Sequence, residues 1–135
     1  MIARWVWIVM MIGTGVEFAF GVACLVLVPI GRPDQWLPPQ SKGVYIAHAV
    51  LGGLLAIAAL AILVAALGGP RLVRLGVQIG LAGLLLGAVG GMLSVSHSWR
   101  LTGMGLMFAG ALVAFFGYLI PLAESAASPA QQPQG

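Results

Sequence analysis

Four long apolar stretches, separated by short polar interruptions, make up most of the chain. An apolar run of about 18 residues or more is typical of a membrane-spanning helix. Strands of a membrane barrel would instead be about ten residues long with alternating polarity, and no segment here alternates in that way. The pattern predicts an all-α integral membrane protein with spans at about residues 5–30, 44–67, 72–95 and 101–121.

The polar interruptions support these boundaries. Residues 31–43 contain three prolines, which are poorly tolerated inside helices. Residues 68–71 read Gly-Gly-Pro-Arg, with Pro70 placed to open the next helix, and residues 96–100 supply a second short turn. We expect one transmembrane domain, residues 1–122, followed by a small, polar, Pro/Gln-rich tail at 123–135 that is predicted to be disordered.

Four spans place both termini and the 68–71 turn on one side of the membrane, here named side A. The 31–43 loop and the 96–100 turn then lie on side B. The aromatic residues near side A, which are expected at the membrane interface, are Trp5, Trp7 and Tyr118.

Composition narrows the class further. The chain is 61% hydrophobic and only 7% charged, whereas a soluble domain has about 25% charged residues. The net charge of +3 comes from side chains near the span ends, so a nucleic-acid partner is not expected. Sides A and B carry equal numbers of Lys and Arg, but Arg4 before the first span favours cytoplasmic termini. The expected location is the plasma (inner) membrane.

Small residues recur at helical spacing along each span. In lipid, such residues mark faces where helices approach closely. They predict a compact four-helix transmembrane bundle with Gly/Ala-rich contacts, in which span three contributes Gly80, Gly83, Gly87, Gly90, Ser94 and His97, and span four Gly103, Gly110, Ala114 and Gly117. The same stripes suit docking onto another chain, so a homo-oligomer or other membrane subunits are the expected partners beside the lipid bilayer.

Glu17 lies near the middle of span one, with Gly13 and Gly21 one turn away on either side. An ionisable group at this depth is costly and normally faces a bundle interior or water. Glu17 is therefore either a hydrogen-bonded structural group or a proton- or cation-binding carboxylate. No Lys or Arg shares its depth, and His48 is its nearest candidate partner, one to two turns closer to side B.

The two histidines, His48 and His97, lie towards side B on the small-residue stripes of spans two and three. Imidazoles on neighbouring antiparallel helices suit axial ligation of a b-type haem, and Gly-rich faces would leave room for a porphyrin. Thioethers on the same side also suit a His/Met copper site: Met92, Met104 and Met107. Alternatively, the histidines and Arg100 are polar anchors that hydrogen-bond at the interface.

No sequence pattern typical of an enzyme is present: there is no acid pair, Gly-rich phosphate loop or metal motif, and no catalytic residue is assigned. The favoured hypothesis is a non-catalytic accessory or assembly subunit of a larger membrane complex. Two alternatives remain: a haem-binding electron carrier using His48 and His97, and a small proton-coupled transporter centred on Glu17.

Overall fold

The structure, a computed structural model, describes residues 2–27, 42–94 and 99–127 and is helical over most of them, with no strand in these ranges. Every one of its helices is long and apolar enough to cross a membrane, as the hydrophobic pattern predicts. The four helices are α1 (Arg4–Leu27), α2 (Lys42–Ala66), α3 (Arg71–Ser94) and α4 (Arg100–Ala127).

The end of α4 differs from the prediction. The helix continues past residue 121 to Ala127, so the first residues of the expected disordered tail are helical, and residues 128–135 lie outside the described ranges. Pro121 lies inside the helix and is buried. It cannot donate a backbone hydrogen bond to the Gly117 carbonyl. That oxygen faces α3, where a Cβ placed on Gly76 would lie 2.7 Å from it.

Consecutive helices pack side by side, and α4 also packs against α1, so the helices form a closed ring. The α2–α3 connection is tight because Gly69 donates its N–H to the Ala66 carbonyl at 2.9 Å. The Pro70 carbonyl accepts the Arg74 N–H at 3.1 Å, so Pro70 precedes α3 as expected. Arg74 Nη1 also donates to the Leu67 carbonyl at 3.1 Å, which closes the end of α2.

The contact between α3 and α4 is the closest in the structure. A Cβ on Gly90 would lie 2.6 Å from the Gly103 carbonyl oxygen, and the reverse distance is also 2.6 Å. The same reciprocal contact recurs one heptad away, between Gly83 and Gly110. The small-residue faces predicted for spans three and four therefore meet each other, and their seven-residue repeat is the spacing of a left-handed helix pair.

Two apolar layers fill the interior. The layer near side A contains Trp7, Ala66 and Val77, and the next contains Met10, Leu55, Ala59, Ala114 and Tyr118. The side chains of Trp7 and Tyr118 are 2% and 0% exposed, so both pack inside the bundle. Tyr118 turns inward because Gly80 leaves space for its ring. Trp5 is 65% exposed and faces outward.

Candidate functional site

Glycines on the facing helices make room for the two polar side chains between α1 and α2. A Cβ on Gly52 of α2 would lie 2.6 Å from Glu17 Oε1 on α1. Conversely, a Cβ on Gly21 of α1 would lie 3.3 Å from His48 Cε1 on α2. On α1, Glu17 and Gly21 are one turn apart on the same face. On α2, His48 and Gly52 are likewise one turn apart on the same face. The two helices therefore meet at this level through the polar side chains.

Glu17 and His48 form an ion-pair contact between α1 and α2. His48 Nδ1 lies 2.9 Å from Glu17 Oε1, and the His and Glu side chains are 19% and 16% exposed. Neither His48 Nδ1 nor Glu17 Oε2 has an aligned hydrogen-bond partner in the described part of the chain. The contact is thus a close approach of two proton-binding groups, and it leaves buried polar atoms to accept or donate a further hydrogen bond.

Helix α4 covers this pair from the side with apolar groups. A Cβ on Gly21 would lie 3.5 Å from Met107 Cε as well as beside the His48 ring, which places Met107 next to the imidazole. Phe18 of α1 meets Phe108 of α4 edge to face, with ring centroids 4.9 Å apart. Met107 of α4 therefore lies next to the imidazole, and an aromatic contact joins α1 to α4 one residue after Glu17.

Of the site residues predicted from the sequence, the structure brings Glu17 and His48 together. His48 is the partner of Glu17, and its ring faces Gly21, which lies one turn from Glu17 towards side B. His97 falls outside the described residues, so the hypothetical haem ligand pair has no described geometry.

The space expected for a porphyrin is filled within the described ranges. Backbone atoms of α4 occupy the glycine face of α3, and the side chains of Glu17 and His48 occupy the glycine faces between α1 and α2. Among the candidate copper ligands, Met92 is 77% exposed, and Met107 lies beside His48. No group of three His, Cys, Asp or Glu side chains suited to a metal ion occurs among the described residues.

Two buried residues that carry hydroxyl groups, Thr14 and Tyr118, were not predicted as site residues. Thr14 is 2% exposed, and its hydroxyl donates to the Met10 carbonyl at 2.8 Å. Tyr118 is fully buried, and its hydroxyl has no partner among the described residues. Thr14 precedes Glu17 by three residues and shares its helix face, so helical spacing was a signal for it. No comparable signal distinguishes Tyr118 from an interfacial tyrosine.

No protein-family model, curated protein or solved structure matches this chain. Support for a function accordingly comes from the chain's own residues, above all from the pair that joins α1 to α2.

Proposed function

We propose that this chain is an integral membrane protein of four spans that acts as a small proton-coupled transporter, with Glu17 and His48 as its proton-binding site. The observation that carries the proposal is the 2.9 Å approach of Glu17 Oε1 to His48 Nδ1. Histidine imidazoles and carboxyl groups are side chains that proteins commonly use to transfer protons.

The chemistry of the pair follows from its two protonation states. With one proton shared between them, either the carboxyl is protonated and the imidazole neutral, or the imidazole is protonated and the carboxyl ionised. The pair is then neutral overall, and it gains one negative charge when the proton leaves. Because net charge in a membrane interior is costly, proton release favours a conformation in which the pair is better solvated. Proton binding can therefore be coupled to helix movement.

The packing of the four helices supports such movement. Helices α3 and α4 meet backbone against backbone along three glycine pairs, which leaves them little freedom to slide. At the level of Glu17 and His48, helices α1 and α2 meet through side chains. We infer that α3 and α4 form the fixed half of the transporter and that α1 and α2 rearrange around the pair.

The proposal includes a location and an orientation. The chain resides in a plasma (inner) membrane with both termini in the cytoplasm, supported by Arg4 ahead of α1 and the positive-inside rule. Its immediate partner is the bilayer, which covers the many exposed apolar side chains of the four helices. Assembly as a homo-oligomer would complete a transport path that one small bundle does not enclose.

A non-catalytic accessory or assembly subunit is the second candidate. The stripes of α3 and α4 are used within the chain, so docking would require other faces. Gly53 and Gly105 supply them, since both are exposed and a Cβ on either would meet no atom of this chain within 4 Å. Ala109, one turn after Gly105, is exposed on the same face. Under this reading, Gly105→Leu would release the chain from a complex isolated with mild detergent.

Proton flux into liposomes tests the first candidate. Purified chain is reconstituted with a pH-sensitive dye inside the liposomes, and the external medium is acidified. We expect the lumen to acidify faster than in protein-free liposomes, and Glu17→Gln to abolish the difference. Glu124→Gln, which removes a carboxylate near the end of α4, is the matched control and should retain the flux. Equal flux with Glu17→Gln, or none with the unaltered chain, would contradict the proposal.

A further inference from the structure

Gln78 is a polar side chain on the outward face of α3. It is exposed, and its amide makes no hydrogen bond with any residue that the structure describes. The opposite face of the same helix carries the glycines that pack against α4, and Gly76, Gly80 and Gly83 are buried there. The amide therefore lies on the side of α3 that faces away from this bundle.

The depth of Gln78 makes an unpaired amide costly. Helix α3 has 24 residues, or about 36 Å at about 1.5 Å per residue, whereas the hydrocarbon core of a bilayer is about 30 Å thick. Gln78 comes two turns after the start of the helix, so its backbone lies about 7 Å inside the hydrocarbon when the helix is centred. Hydrocarbon offers no hydrogen-bond partner, so a polar group left alone in it costs free energy. A protein partner would remove this cost.

Gln78 belongs to a stripe of exposed residues along α3, here named the outer stripe. Steps of three and four residues alternate along it, and its members are Leu75, Gln78, Ala82, Leu85, Val89 and Met92. This heptad spacing keeps one face of a helix against a partner helix in a left-handed pair. Ala82, one turn from Gln78, is small enough to let two backbones approach closely. The outer stripe thus has the pattern of a helix contact, and no other described helix of this chain covers it.

We propose that the outer stripe binds the outer stripe of a second copy of this chain, with the two Gln78 amides hydrogen-bonded to each other. An amide carries both donors and an acceptor, so it is complementary to an identical group. Two copies inserted in the same orientation are related by a twofold axis along the membrane normal, and such an axis brings the same patch of both copies together. Gln78 then meets Gln78 at equal depth. A single polar residue in an apolar heptad seam fixes register and oligomeric state.

The ends of the contact follow from the residues around the outer stripe. Arg71 is exposed one turn before Leu75 and lies at headgroup level on side A. Water and anionic headgroups at that level screen the repulsion between the two guanidinium groups, so the seam runs from Leu75 to Met92. The dimer rests on the membrane-spanning arrangement proposed above and not on proton transport, because neither Glu17 nor His48 belongs to this face.

Sedimentation equilibrium of the purified chain in detergent tests the amide contact. We expect the unaltered chain to dimerise and Gln78→Leu to weaken the dimer about three- to thirtyfold, the effect of an interhelical hydrogen bond between membrane helices. Gln78→Asn keeps an amide and should retain most of the dimer. Thr102→Val removes an exposed polar group from α4 and is the control without effect. A monomeric unaltered chain, or a Gln78→Leu chain that dimerises as strongly as the unaltered one, would overturn the inference.

Disulfide cross-linking in liposomes at low protein density tests which face is used. Cys24 is the single cysteine of the chain, so Cys24→Ser supplies a background without thiols. Adding Ala82→Cys should give a covalent dimer when an oxidant is added, whereas Ala109→Cys, the same change on an exposed position of α4, should not. Equal cross-linking at both positions would overturn the inference. So would Ala82→Cys chains that cross-link in native membranes only to a different protein.

The proton-flux assay separates this inference from the proposed function. Flux that is abolished by Glu17→Gln, in a chain that proves monomeric, would overturn the dimer and leave the proposed function intact. A Gln78-dependent dimer without any flux would support the dimer and contradict proton transport.

Discussion

Gly83 and Gly110 lie so close that a Cβ on either residue would be 2.6 Å from the carbonyl oxygen of the other. Lipid surrounds both helices in the proposed setting, so burial of apolar area gives little drive for them to associate. Close backbone contact supplies the alternative, through van der Waals packing and Cα–H···O contacts, each of which contributes about 0.5–1 kcal/mol. The α3–α4 pair therefore holds the bundle together.

Adding a methyl group at Gly83 should damage this pair. We expect Gly83→Ala to lower the free energy of unfolding by about 1–3 kcal/mol, the range for overpacking a well-packed contact, as measured by denaturation in detergent. Gly87→Ala is the matched control on the same stripe, because its new Cβ would meet only the Met107 carbonyl at 4.0 Å. Leu85→Ile, on the 54% exposed outer face, should also be neutral. Equal losses at residues 83 and 87 would refute the close contact.

A methyl group at Gly52 should disturb the proton site without removing either of its members. Its Cβ would lie 2.6 Å from Glu17 Oε1, and the carboxylate is the flexible end of a side chain that can move away. We therefore expect Gly52→Ala to reduce proton flux severalfold while changing the free energy of unfolding by less than about 1 kcal/mol. Gly53→Ala, whose Cβ would meet nothing within 4 Å, should keep full flux. Loss of flux in both variants would argue against the geometry.

The topology prediction follows from four antiparallel helices. A reporter domain fused after residue 70, in the α2–α3 turn, and one fused after residue 135 should report the same side of the membrane. The charge distribution predicts that this side is the cytoplasm. Reporters on opposite sides would remove the four-span arrangement, and both reporters outside the cytoplasm would reverse only the orientation.

Replacing Glu17 by Gln should cost little stability. The amide has nearly the same shape, keeps a carbonyl oxygen for the contact with His48, and carries no charge that needs compensation. We expect a change in the free energy of unfolding below about 1 kcal/mol, within the range of a single neutral hydrogen bond. A chain that fails to fold with Gln at this position would indicate that the carboxylate is an obligatory structural ion, which a proton-exchanging group cannot be.

The sequence predicted the helices well because each span is long, apolar and bounded by Pro, Gly or charged residues. It also predicted that the glycine stripes of α3 and α4 are contact faces. It did not distinguish Gly83, where a Cβ would clash with α4, from Gly87, where there is room for one. Both glycines lie on the same stripe of α3, and only the register between α3 and α4 makes one of them crowded. That register depends on side chains from both helices together.

The sequence indicated which residue is the partner of Glu17, but not how closely the two side chains approach. His48 was identifiable as the nearest candidate partner because no Lys or Arg shares the depth of Glu17. The 2.9 Å approach of the two side chains was not predictable, because the long connection between α1 and α2 does not fix how closely the helices pack. Inward-facing Tyr118 depends similarly on the gap opposite Gly80, which exists only after α3 and α4 have packed.

The central claim is that Glu17 binds and releases a proton beside His48. The chain contains only three acidic residues, so its carboxyl bands can be assigned by single substitutions at Glu17, Asp34 and Glu124. Infrared difference spectra of the protein in bilayers, recorded from acidic to alkaline pH, should show a protonated carboxyl band that disappears reversibly. That band should be missing from Glu17→Gln and present in Glu124→Gln. If the pH-dependent bands of the Glu17→Gln chain are identical to those of the unaltered chain, Glu17 does not bind and release a proton, and the central claim is contradicted.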